Sequence, residues 1–391
     1  MKKFTVILFV LFVLTLGATC AEEERAIYTD GDFRYALLAD GTAEIVDYRG
    51  NARSLMVPDT LGGYRVTSIG DYAFLGYYSF TSITIPDSVT AIGDRAFSFC
   101  GSLTSITIPD SVTAIGDFAF SYCTSLTSIT IPDSVTDIGS NPFESCPELI
   151  AIRVSSDHPT LATIDGALFE KTEKRLVTYP CAFEASSYTI PDGIYIIGDS
   201  AFCSCESLTN ITIPDSVTAI GDFAFFSCDS LTSITISDSV TDIGNNPFRS
   251  CEELTTIQVS PDHPTLATIN GVLFEKTEKR LITYPCAFEA SSYTIPDGIR
   301  LIGDSAFYSC DSLTSITIPD SVTAIGDGAF SSCGSLTSIT IPDSVTEIGN
   351  RAFSSCDSLT SITIPGSVTE IGNGAFAECS SLTSITIPGS V

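Results

Sequence analysis

Cysteine carries the sharpest chemistry in this sequence, and it recurs at a fixed interval. Cys100, Cys123 and Cys146 stand 23 residues apart, as do Cys205, Cys228 and Cys251, and again Cys310, Cys333, Cys356 and Cys379. Zinc needs paired C-x-x-C spacing or nearby histidine, and Cys203 with Cys205 makes only C-x-C. Two readings stay open. One is a column of buried thiols, since the position repeats like a core position and cysteine is a small, readily buried hydrophobe. The other is disulfides between neighbouring copies, which export permits. The buried column is the stronger expectation. Cys181 and Cys286 fall outside the series, each after Tyr-Pro.

Histidine and aspartate offer less. His158 and His263 occupy equivalent Asp-His-Pro segments, one per copy, and read as turn residues rather than bases. Aspartate recurs in two columns: Asp87, Asp110, Asp133, Asp215, Asp238, Asp320 and Asp343, and then Asp94, Asp117, Asp222 and Asp327. Stacked carboxylates can bind Ca²⁺. The G-G-x-G-x-D phrase of calcium β-rolls is missing, however, and Gly366 and Gly389 replace aspartate in the last copies. Turn and capping roles account for both columns. There is no P-loop, nucleophile elbow, G-x-G-x-x-G or H-E-x-x-H. Strict repetition sets each residue against its own copies, so the expectation is no catalysis, no cofactor and no metal.

The element behind these columns is a 23-residue phrase. Copies begin at Phe80, Leu103, Leu126, Leu149, Leu208, Leu231, Leu254, Leu313, Leu336, Leu359 and Leu382. Leu103, Ile106 and Ile108 follow L-x-x-I-x-I. Ile106 and Ile108 share one face of a strand while Ser105 and Thr107 take the other. Pro109 lacks an N–H and ends the strand, and Asp110-Ser111 turns. Val112 and Ile115 face inward again in a short second strand. Asp117 is expected to cap a short helical turn that puts Phe120 and Cys123 on one face. One copy cannot bury its apolar side, but stacked copies can, about 4.8 Å apart. The fold class expected is a β-rich repeat solenoid: a right-handed coil with a parallel β-sheet face, short second strands and short helical turns.

The phrase L-x-x-I-x-I-P-D-S-V-x-x-I-G-x-x-A-F-x-x-C-x-S resembles the BspA-type leucine-rich repeat, from about Leu61 to Val391. That family includes surface proteins of oral and gut bacteria, treponemes and some protists. The resemblance implies a curved solenoid, export, and adhesion to host proteins or other cells.

The remaining segments refine this plan. Lys2 and Lys3, an apolar stretch from Phe4 to Leu16, small residues and then Glu22-Glu23-Glu24 make the layout of a signal peptide, residues 1–21, too short to span a bilayer comfortably. Cys20 is a candidate lipidation site, but Thr19 departs from the small residue expected before a lipidated cysteine, and ordinary cleavage near Cys20 or Ala21 is favoured. No second apolar stretch has spanning length. Residues 22–60 lack the phrase. Asp40-Gly41 between Phe33–Leu38 and Ala43–Tyr48 signals a hairpin that caps the first rung. The solenoid is expected over 61–391. Its long copies, 149–207 and 254–312, each carry an inserted hairpin, and these hairpins should project as paired bumps. Val391 ends the chain in mid-phrase, which reads as a fragment or an open last rung.

Two features break the uniform surface. The inserts carry Lys171, Lys174 and Arg175, and Lys276, Lys279 and Arg280, in a chain of net charge −29. The helical edge varies between copies, with Phe118, Phe223, Phe226 and Tyr308 among its residues. Both are candidate partner contacts, and both also fit solvated turns and drift. The acidic balance excludes nucleic acid as a partner. The expected function is an exported, non-enzymatic interaction or adhesion module. It would be secreted or held at the cell surface, with proteins of host matrix or other cells as partners. A self-associating surface component, using an uncapped C-terminal rung, and a calcium- or glycan-binding solenoid are the alternatives.

Overall fold

The computed structural model describes residues 25–183 and 185–391. The signal peptide and Cys20 lie outside them. The chain is a parallel β-solenoid that divides after Leu168 into two compact units.

In the first unit, Ile27–Asp30, Phe33–Leu37 and Ala43–Tyr48 form an antiparallel meander. The Asp40 carboxylate accepts bonds from the Thr42 amide and hydroxyl at 2.9 and 2.6 Å, closing the turn. Ala43–Tyr48 then pairs in parallel with Tyr64–Ile69, and the stack continues through Ala91–Ile92, Ala114–Ile115 and Asp137–Ile138. The other ladder runs through Ser54–Met56, Ser82–Thr84 and Ser105–Thr107. Register is set by identity: Ile83 faces Ile106, and Ala91 faces Ala114. Inside, Phe74, Phe97, Phe120 and Phe143 stack with centroids 5.1, 5.4 and 5.8 Å apart. Burying each such ring contributes about 1.5–3 kcal/mol.

The helical turn is not there; among the described residues no segment is helical. Phe118 and Tyr122 adopt φ of 54° and 55°, in the left-handed region that a right-handed helix forbids. The amides of Phe118, Phe120 and Tyr122 donate to Ser140, Pro142 and Glu144 of the next rung at 3.0, 2.8 and 2.8 Å. A helix would keep those donors for its own carbonyls. Stacking claims them instead, and short turns close the corner through Ser121 N–H to Phe118 and Cys123 N–H to Phe120.

The second unit repeats the plan. Its ladder residues Phe202, Phe225, Phe307, Phe330 and Phe353 are fully buried. The long copy is incorporated rather than projecting. Leu266–Ile269, Val272–Glu275 and Arg280–Thr283 form an antiparallel meander, and Arg280–Thr283 pairs in parallel with Leu301–Ile302. Leu273, Phe274, Leu281 and Ile282 are all buried, which is why the hairpin docks into the stack instead of standing off it. Asp242–Ile243 ends its sheet and Leu266–Ile269 begins the next. Side chains bridge that break. Arg280 donates to Ile243 O and Asn245 Oδ1, each at 3.0 Å. Buried Asn246 donates to Ser305 O at 2.6 Å and accepts from the Thr283 hydroxyl at 2.7 Å.

Candidate functional site

The repeated polar residues are held by the scaffold itself. The Cys123 thiol donates to Phe97 O at 3.3 Å, and Cys228 to Phe202 O at 3.2 Å. Burial pushes the Cys100 and Cys356 thiols up to about 12, so neither supplies thiolate near neutrality. The buried column is interrupted at Cys205 and Cys310. There the insert cysteines Cys181 and Cys286 sit one rung away, Cα 4.5 and 4.6 Å distant, and form disulfides. Each disulfide joins an insert cysteine to the column cysteine of the same long copy, and no two members of the repeated column are bonded to each other among the described residues.

His158 and His263 are buried. Nε2 of His263 lies 3.1 Å from Ser237 O, and Nδ1 accepts from the Thr265 and Leu266 amides at 3.3 and 3.0 Å. Those partners place the proton on Nε2 and use the ring as a backbone clamp. The second aspartate column caps, but between rungs: Asp94 Oδ1 accepts from the Asp117 amide at 2.8 Å, and Asp117 Oδ1 from Ser140 at 2.7 Å. Among the described residues no group of three or more His, Cys, Asp or Glu is placed to hold a metal ion.

What these ladders leave free is the turn edge, where several left-handed positions expose large side chains, Tyr72 and Phe99 among them. In the first unit Arg95 lies over the Phe118 ring at 4.6 Å, and Phe99 stacks on Tyr122 at 4.4 Å. Tyr72 and Tyr78 are exposed beside them. In the second unit the Arg249 guanidinium gathers three aromatic rings. It sits 3.6 Å over Tyr308, 5.6 Å from Phe223 and 5.5 Å from Phe226. Burial raises the Tyr308 phenol, but Arg249 and the Ser332 and Ser309 hydroxyls together outweigh it and hold the phenol below its usual value. Arg249, Phe223 and Tyr308 form one wall of a trough of about 610 Å³, whose lining includes Asp304, Gly328, Ser331 and Arg351.

The chain matches the BspA type leucine rich repeat region in six copies, over residues 67–185, 178–290 and 284–391. The chain belongs to the BspA-type leucine-rich repeat family. A leucine-rich cell surface protein of Faecalibacterium prausnitzii A2-165 is similar to it, at 39% identity over 95% of this chain and 91% of the other, TM-score 0.53. Leucine-rich repeat proteins of Eubacterium ventriosum (25% identity, 93% and 96% covered, TM-score 0.49) and Bacteroides ovatus (30%, 93% and 95%, 0.41) are similar as well. No curated protein matches the chain.

On this BspA-type scaffold the insert cations divide. Arg175 bonds Glu170 at 2.9 Å and Arg280 bonds Glu275 at 2.9 Å, each guanidinium 15% exposed. The lysines stay at the hairpin tips. Lys174 lies over Tyr195 at 4.5 Å, Lys276 bonds His263 O, and Lys171 and Lys279 are exposed. Of the edge residues, Phe223, Phe226 and Tyr308 come together and Phe118 lies in the first unit. Sequence reasoning marked the aromatic residues of this edge but missed Asp304 and Gly328. Variation between copies at Gly328, where other rungs carry Phe or Arg, was the signal available.

Proposed function

We propose that this chain is an exported protein-interaction module, carried outside the cell or on its surface, whose contact surface is the turn edge. One observation carries this reading. Arg249, Phe223, Phe226 and Tyr308 form an aromatic and arginine cluster beside an open trough. Those residue types dominate the energetics of protein interfaces. The sequestered thiols, histidines and aspartates support a scaffold rather than a catalyst. Export is supported by the signal-peptide layout of the first residues and by the description of the Faecalibacterium relative as a cell surface protein. Among the described residues no helix is long and apolar enough to cross a membrane.

The test is surface plasmon resonance of the purified chain against immobilised extracellular-matrix proteins. Adhesion to host matrix predicts saturable binding to at least one of them, weakened by Tyr308→Ala. Absence of saturable binding to any of them, with self-assembly on size-exclusion chromatography, would overturn the reading in favour of a self-associating surface component.

A further inference from the structure

The trough owes its shape to a local exchange of large side chains for small ones. At the first left-handed position of the turn edge, Tyr72, Arg95, Phe118, Phe223 and Arg351 are large, whereas Ser305 and Gly328 stand here, small as Ser200 and Gly374 are elsewhere. At the position after the ladder phenylalanine, Phe226, Arg249 and Tyr308 give way to Ser331 and Ser354. The result is a polar floor between the Arg249–Tyr308 wall and Arg351. From Ser305 to Arg351 is two rungs, about 10 Å, the reach of roughly three extended residues.

Its electrostatics are incomplete at both signs. The chain holds 47 acidic residues against 18 basic ones, yet neither Arg249 nor Arg351 forms an ion pair among the described residues. A guanidinium without an ion-pair partner is a ready carboxylate receptor, and both arginines line the trough. On the same lining, Asp304 and Asp327 use Oδ1 to cap the next rung. Burial holds the Asp304 carboxyl above the usual range, and the charges of Asp327 and Asp222 add to that, against Arg280 and the Asp327 amide. A cation placed there would relieve the crowding of negative charge.

We propose that this trough binds a short extended segment of a partner protein carrying an acidic and a basic side chain a few residues apart. The acid pairs with Arg249 or Arg351, and the base lies over Asp304 and Asp327. The proposal rests on the protein-interaction reading above and names the chemistry of its partner. A polyanion is disfavoured by the net charge of −29. An apolar helix is disfavoured by a lining of serine, arginine and carboxylate.

The experiment is titration calorimetry of the purified chain at low salt with three blocked hexapeptides: alternating Glu and Lys, all Glu, and all Lys. The alternating peptide is expected to bind saturably, and both homopeptides about tenfold or more weaker. Gly328→Phe should abolish that binding without lowering the melting temperature. Phe118 and Phe223 already occupy the equivalent position at φ of 54° and 53°, and a Cβ at Gly328 meets nothing closer than 3.4 Å. Arg351→Ser, at an exposed side chain, should weaken binding about tenfold and supplies a second test should Gly328→Phe fold poorly. Equal binding of the all-Lys peptide, or unchanged binding in both variants, overturns the proposal. Matrix-protein binding that survives Gly328→Phe also overturns it while leaving the protein-interaction reading intact.

Discussion

Gly116→Ala tests the claim that rungs touch backbone to backbone at the start of the turn edge. An alanine Cβ at Gly116 would lie 2.4 Å from Asp94 Oδ1, 2.6 Å from Asp94 N and 2.7 Å from Gly93 C. Ordinary contact begins at 3.4 Å, so the rungs must part by close to 1 Å. Parting strains the Gly116 N–H bond to Ile92 O and the Asp117 N–H bond to Asp94 Oδ1, each 2.8 Å. Two weakened hydrogen bonds cost about 0.5–1.5 kcal/mol each, and overpacking adds about 1–3 kcal/mol. Stiffening of the unfolded chain offsets about 0.4–1 kcal/mol. The expected net loss is about 1–6 kcal/mol. Urea unfolding followed by circular dichroism measures it, with the slope checked because solenoids can unfold in parts. Gly366→Ala is the control, since a Cβ there meets nothing within 4 Å. If both variants share the wild-type midpoint and slope, close approach is not what requires glycine in the phrase.

Three further outcomes follow from the same geometry. In native chain at neutral pH, a thiol reagent should modify half-buried Cys379 first and leave Cys123 and Cys228 unreacted until denaturant is added; rapid native labelling of Cys123, by peptide mapping, would contradict the buried column. Burial, with Glu252 and Glu206 nearby, raises the Asp229 carboxyl to about 6 from 3.8. The folded state therefore binds the proton more tightly, and this residue's contribution to stability falls as pH rises from about 4 to 6. Asp229→Asn should accordingly stabilise at pH 7 by about 0.5–1 kcal/mol after solvent screening, and not at pH 3.5, in matched urea titrations. His263→Ala strips partners from the Thr265 and Leu266 amides and the Ser237 carbonyl, and should cost about 2–4 kcal/mol, against less than about 0.5 for exposed Asp262→Ala in the same titration.

The solenoid and its family were legible in the sequence because both are written as spacing. L-x-x-I-x-I encodes a strand with one buried face, and the 23-residue offset encodes in-register stacking of Ile83 on Ile106. The turn edge was misread as helical because three-residue spacing of Phe120 and Cys123 fits successive tight turns as well as a helix. Spacing carries no information on the sign of φ, and the positive φ of Phe118 and Tyr122 decides the matter. The inserts were misread as projections because Lys276-Thr-Glu-Lys279 looks like a solvated tip, as it is, while the flanking buried strand joins the stack. That Arg249 meets Tyr308, 59 residues away, depends on how many rungs the insert fills, which no local pattern records.

A repeat protein of this kind sets its surface column by column. Each inward column is constrained by its own copies: a phenylalanine stacks on phenylalanine, and a glycine must admit the rung before it. The outward positions of the turn edge carry no such demand. Their left-handed backbone tolerates Phe, Arg, Tyr, Ser and Gly alike without altering the scaffold. Surface shape can therefore change by substitution within one column while the core stays fixed. The two units show this directly. Where the column holds Arg95 and Phe118, the edge is an aromatic and cationic ridge. Where it holds Ser305 and Gly328, the same backbone opens a trough. The shape of the surface is thus set rung by rung, and a single exchange such as Gly328→Phe should convert one kind of edge into the other.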